Sequence, residues 1–196
     1  MYKFFQHSVT ILIIVILGGC FSQRKVERVS PDEQIDLSGR WNDTDSRLTA
    51  EAMTAQMLGG RWIEEFERSQ GKRPVMIVGL IRNKSHEHID AETFIKDIER
   101  SVINNGSVRI VQAGDKREEL RRERADQQEF ASMETAKNWG LELGADYMLQ
   151  GTINSIVDEY RRDKTVTYMI GLELTNLETN EVAWMGDKKI KKFIKD

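Results

Sequence analysis

Residues 74–112 constrain the fold of this chain most tightly. "PVMIVGLI" (Pro74 to Ile81) is a continuous apolar run without polar alternation, the pattern of a central strand covered on both faces. "HIDAETFIKDIERSVINNG" follows with a full set of helix signals. Asp90 suits the N-cap, Glu92 falls in the positive first turn, and Ile89 and Phe94 occupy the two positions of a hydrophobic staple. Phe94, Ile98 and Val102 make the buried stripe, and Gly106 stands where a left-handed cap belongs. "VRIVQ" (Val108 to Gln112) is then a short strand. Strand, helix and strand at this spacing predict one right-handed parallel crossover.

The flanking segments extend this unit. In "SRLTAEAMTAQML", Leu48, Ala52, Ala55 and Leu58 recur at three- and four-residue steps, with Ser46 or Asp45 as the N-cap. Gly59-Gly60 interrupts the helix, "RWIEEFERSQG" resumes it with Trp62, Ile63 and Phe66 on one face, and Gly71 stops it. "DKREELRRERADQQE" carries only Leu120 and Ala125 as apolar residues. A second amphipathic helix, "SMETAKNWGLELG", follows from Ser132 to Gly144. The last third reads as three strands. "DYMLQGTINSIV" alternates loosely, and "TVTYMIGLELTNL" puts Val166, Tyr168, Ile170, Leu172 and Leu174 on one face. "EVAWMGDKKIKKFI" comes after the turn "ETN", which completes an antiparallel meander. The expected fold is a single α/β domain with a mixed parallel and antiparallel sheet flanked by helices. Its expected bounds are residues 46–196.

The N-terminus places the domain in a compartment. Val9 to Leu17 is apolar except for Thr10 and follows a basic Lys3. The run is shorter than the ~20 residues of a membrane-spanning helix but has the length of a secretory signal core. Gly18 and Gly19 supply small residues, and the chain's one cysteine, Cys20, comes next. "LGGC" resembles a bacterial lipobox, in which the cysteine becomes the first residue of the mature chain and carries lipid. A plain signal peptide or a signal anchor would share the apolar run. Lipidation also accounts for an odd cysteine in an exported chain, and several acyl chains make a stable anchor where one is marginal. Phe21, where an Asp usually means inner-membrane retention, implies sorting to the outer membrane. Residues 1–19 are therefore read as a removable signal and 20–45 as lipidated cysteine plus short flexible tether. Extended, residues 21–38 span roughly 60 Å at about 3.3 Å each. Cutting before Cys20 removes one base and no acid, leaving 28 basic against 32 acidic side chains. Evenly mixed charge of that kind is not the concentrated basic face of a nucleic-acid binder.

Candidate chemistry is sparse. The chain has no Gly-x-Ser-x-Gly elbow, Walker loop, Gly-x-Gly-x-x-Gly or His-Glu-x-x-His. Asp43 and Asp45 could act as an acid–base pair, but their place beside a helix start favours capping. His86-Glu87-His88 is a solvated loop, a partner contact or a metal pair. Because His7 leaves with the signal peptide, a three-histidine site cannot form. No cofactor is called for. The run Lys116 to Arg124 is either a solvent-facing helix or an interaction arm. The lysines of "KKIKKFIKD" either protect an edge strand or meet anionic headgroups or cell-wall polymer.

Four blocks in order carry a resemblance: "SGRWNDTDSRL", "VGLIRNKSHEHIDAETFIKDIERSVINNGSVRIV", "LGADYMLQGTI" and "LELTNLETNEVAWMG". Over about residues 38–194 the chain resembles the LpoB-type penicillin-binding-protein activator lipoproteins. The resemblance implies a fold like the N-terminal domain of the TolB protein. It also implies a non-enzymatic outer-membrane lipoprotein that faces the periplasm, reaches through peptidoglycan and allosterically activates a bifunctional penicillin-binding protein. Familiar members carry a long Pro-rich tether, whereas residues 21–45 hold the single Pro31, so this domain is expected to stay near its own membrane. The expected docking surface combines Arg82, Asn83, Lys84, His86 and His88 of one loop with Lys116, Arg117, Arg121 and Arg124 of the charged run. A secretion-type scaffold or a cell-wall-binding module is the alternative. A pore is disfavoured because only residues 166–174 alternate well enough for a barrel strand.

Overall fold

The computed structural model describes residues 25–30, 33–130 and 142–195. The chain divides into two compact units, 1–33 and 34–196. In the first, Lys25 pairs with Glu27 at 3.3 Å and the Glu33 N–H donates to the Ser30 carbonyl. The second holds all the regular structure described.

That unit runs α1 (Asp43–Leu58), α2 (Trp62–Gln70), β1 (Val75–Asn83), α3 (Ala91–Asn105), β2 (Arg109–Ile110), α4 (Gly114–Phe130), β3 (Tyr147–Tyr160), β4 (Asp163–Asn176) and β5 (Val182–Ile194). The strands form one mixed sheet in the order β2-β1-β3-β4-β5, curled into a half-barrel. β1 pairs in parallel with β2 and β3; β3–β4 and β4–β5 are antiparallel. The parallel β1–α3–β2 crossover and the antiparallel meander are both present. The second amphipathic helix expected at Ser132–Gly144 lies almost wholly outside the described residues, and 142–144 are irregular. No helix among the described residues is long and apolar enough to cross a membrane.

α3 forms as its caps dictate. The Asp90 carboxylate accepts from the N–H groups of Glu92 and Thr93, Gly106 closes the helix at φ +79°, and Ile89, Phe94, Ile98 and Val102 are buried. On β4, Val166, Tyr168, Ile170, Leu172 and Leu174 all face the core. α1 departs from expectation. Its N-cap is Asn42, in a reciprocal capping box with Asp45 at the third helical position. The helix is rotated so that Thr49, Ala50, Met53 and Met57 are buried, while Leu48 is 45% exposed. The flexible thioethers of Met53 and Met57 take the core-facing positions in place of the expected stripe of Leu48, Ala52, Ala55 and Leu58.

The ordered unit also begins ahead of residue 46. Trp41 packs edge-on against Phe94 and Tyr168, with centroids 6.5 and 5.4 Å away, and its indole N–H donates to Ser46 Oγ at 2.7 Å. Lys192 points inward from β5. Its ammonium group, on a side chain 11% exposed, meets Asp45 at 2.6 Å and Asp36 at 2.8 Å and donates to the Arg40 carbonyl. It therefore acts as a clasp on the lead-in, neither an edge guard nor a headgroup contact. Lys189 and Lys191, on the other face of β5, stay exposed.

Candidate functional site

The loop after β1 is a braced structure. Asn83 is committed within it: its amide donates to the Glu87 carbonyl at 2.8 Å, and its side-chain oxygen accepts from the Ser85 N–H and hydroxyl. His86 latches the loop to β3, where Ser155 Oγ accepts its N–H at 3.0 Å and meets its Nδ1 at 2.6 Å. The His86 ring stacks 6.4 Å from Tyr168. The Trp41 N–H donates to Glu87 at 3.0 Å, which ties the loop to the lead-in. The Tyr168 hydroxyl is buried beside that carboxylate without a well-formed hydrogen bond, and desolvation pushes its pKa up. Asp90 is held below the usual carboxylate range, chiefly by the Glu92 N–H. Arg82, Lys84 and His88 are exposed.

The four expected docking cations of α4 are engaged at home, while Arg122 beside them has no side-chain partner among the described residues. Lys116 reaches Glu92 at 3.6 Å, and Arg117 Nε donates to the Gln112 carbonyl at 2.8 Å. Arg121 pairs with Glu118 at 2.6 Å and Glu142 at 3.0 Å, and Arg124 also pairs with Glu142. Arg121 first and Arg124 second hold the Glu142 carboxyl down to about 2. The Glu142 pairs fasten α4 to the segment before β3, and Lys116–Glu92 ties it to α3. Exposed pairs of this kind contribute little stability, yet they neutralise the positive charge. By contrast, neither Arg82 nor Lys84 has a side-chain partner among the described residues.

Sequence reasoning missed one feature beside these two cations. The sheet face opposite the helices is open over β3, β4 and β5, and a concavity of about 660 Å³ lies on it. Leu80, Arg82 and Lys84 line one side, Met185 and Asp187 the other, and Gln150, Thr152 and Gly171 the floor. One register row crosses it: Arg82 pairs with Thr152, Thr152 with Gly171, and Gly171 with Asp187. The available sequence signal was a glycine inside a strand that otherwise alternates cleanly.

No group of three or more His, Cys, Asp or Glu among the described residues could hold a metal ion. Trp41, Trp62 and Trp184 pack on the core, so they make no stacking platform for sugars; Trp139 lies outside the described residues. Cys20 also lies outside them.

The sequence profile of the family described as the peptidoglycan-synthase activator LpoB matches residues 45–190. No curated protein matches the chain. Among solved structures it is similar to the LpoB C-terminal domain from Escherichia coli, at 19% identity and a TM-score of 0.43 over 74% of this chain and 98% of that one. The corresponding domain from Salmonella enterica gives 15% identity and a TM-score of 0.43 over the same shares. Lipoprotein GNA1162 from Neisseria meningitidis gives 12% identity and a TM-score of 0.39, over 62% of this chain and 84% of that one.

Proposed function

Because the chain belongs to the LpoB family of peptidoglycan-synthase activators, we propose that it is lipidated at Cys20 and anchored in the outer membrane. From there its domain docks on a bifunctional penicillin-binding protein and raises its activity allosterically. The observation that carries this reading is the family match, which spans nearly the whole folded unit. The lead-in is fastened to the domain from Asp36 onward, where Asp36, Arg40 and Asp45 hold Lys192. Asp36 is sixteen residue steps from Cys20, a span of at most about 58 Å. The synthase must therefore present its docking site within that distance of the anchoring leaflet, plus the size of the domain.

Activation requires that the domain bind the synthase's active state more tightly than its inactive one. A tenfold stimulation needs about 1.4 kcal/mol of such preference. The loop Arg82–His88 is suited to discriminate, because its braces hold Arg82 and Lys84 in place before any partner arrives. The test is direct binding to each bifunctional penicillin-binding protein of the same organism, together with labelling of cells by a palmitate analogue. Saturable binding to at least one synthase is expected, with label that disappears in Cys20→Ala. Absence of binding to all of them would remove the activator reading, and label retained without Cys20 would remove the anchor.

A further inference from the structure

The two halves of the expected docking surface differ. Of its α4 members, Lys116, Arg121 and Arg124 pair with Glu92, Glu118 and Glu142 and Arg117 donates to the Gln112 carbonyl, whereas Arg82 and Lys84 face the concave sheet face with no side-chain partner among the described residues. Across that face Asp187 is likewise exposed and without a partner among them. The two ends of the row are three strand spacings apart, about 14 Å along the sheet. Between the charges lie small residues, and two apolar side chains, Leu80 at 63% and Met185 at 69% exposure, stand at the rim.

Gly171 sets the floor. It sits in mid-strand at an ordinary negative φ, and a Cβ built there would have nothing within 4 Å. Its neighbours are different. A Cβ on Gly151 would lie 2.1 Å from the Gly171 carbonyl oxygen, and one on Gly186 2.3 Å from the Trp184 ring. The fold thus requires Gly151 and Gly186 but not Gly171. Glycine weakens a strand interior, and where packing does not demand it, it often marks a place another group approaches closely.

Resting on the activator reading above, we propose that this groove is where the synthase docks. The occupant is a segment of that protein with an apolar side chain seated over Gly171 between Leu80 and Met185. An acidic group of the segment lies against Arg82 and Lys84, and a basic group against Asp187. The opposed charges fix the direction of the segment, and docking on the groove leaves the α4 ion pairs intact. Complementary charge gives orientation and on-rate more than raw affinity, so the apolar seat holds most of the affinity.

The experiment uses the full chain in detergent and the synthase that binds it, and compares three variants. Gly171→Val fills the floor with a residue that strands favour; its melting temperature should match or exceed that of the parent while binding falls at least tenfold. Met185→Glu alters an exposed rim residue and should weaken binding by a similar factor with the fold intact, which keeps the test valid if Gly171→Val folds poorly. The α4 double variant Lys116→Glu with Arg122→Glu should bind within threefold of the parent. Parental affinity in a folded Gly171→Val or Met185→Glu would overturn the groove, as would loss of binding confined to the α4 variant. If the parent binds no synthase, the activator reading fails first and the groove falls with it.

Discussion

Replacing Lys192 by Met removes a cation that three acceptors surround while keeping most of the aliphatic stem. Lys192 and Asp45 are 11% and 10% exposed at their side chains, so their 2.6 Å pair is close to buried; Asp36, at 38%, is half in solvent. Breaking a buried pair by removing one partner costs about 3–5 kcal/mol, because the other charge is left uncompensated. Here the Asp45 carboxylate keeps a second role in the capping box, where it accepts the Asn42 N–H at 3.0 Å. The exposed Asp36 contact adds less than about 1 kcal/mol. The expected loss is therefore about 2–3 kcal/mol, which for a domain of this size lowers the melting temperature by roughly 4–12 °C. Thermal and urea unfolding of Lys192→Met, Asp45→Asn and the double variant measure it. The double variant should be about 1–2 kcal/mol more stable than the sum of the singles predicts, since the two residues act as a pair. The lead-in should also come loose, so limited proteolysis should cut near Arg40 in Lys192→Met before it cuts the parent. A single variant within 0.5 kcal/mol of the parent, with additive singles, would refute the clasp.

The other expectations rest on separate features. Trp41→Ala deletes the ring between Phe94 and Tyr168 and its bond to Ser46, and should cost about 3 kcal/mol by chemical denaturation. Gly151→Ala forces a methyl onto the Gly171 carbonyl, 2.1 Å away; it should destabilise the protein by about 1–3 kcal/mol, whereas Gly171→Ala leaves stability unchanged or higher. Lys192, and then Gln34, lower the Asp36 carboxyl from 3.8 to about 2. Its stabilisation is thus present above the ordinary carboxylate value and fades as pH falls through about 2. Melting curves of parent and Asp36→Asn should accordingly differ near neutrality and converge at the acid end.

Local signals were legible in the sequence where they act locally. Asp90, Gly106 and the Ile89–Phe94 staple specify α3 from within a few residues, and the alternation of β4 names its buried face without outside help. α1 was misread because its burial is decided elsewhere. Leu48 looks like core by composition, but the Asn42 capping box and Trp41 fix the helix so that Thr49, Met53 and Met57 turn inward. Lys192 was read with the other lysines of its strand. Its partner Asp36 lies 156 residues away, and only the two-residue period shared with Trp184, Ile190 and Ile194 placed it inward. The loop cations Arg82 and Lys84 were found, but the groove beside them was not. It depends on β1, β3, β4 and β5 coming into register, which no single strand encodes.

Measuring the rate of glycan-strand synthesis by the purified synthase with increasing amounts of this chain distinguishes activation from mere docking. The rate should rise saturably, with a midpoint that matches the binding constant and moves to higher concentration in Gly171→Val. A synthase that binds the chain at full occupancy and polymerises no faster would contradict activation.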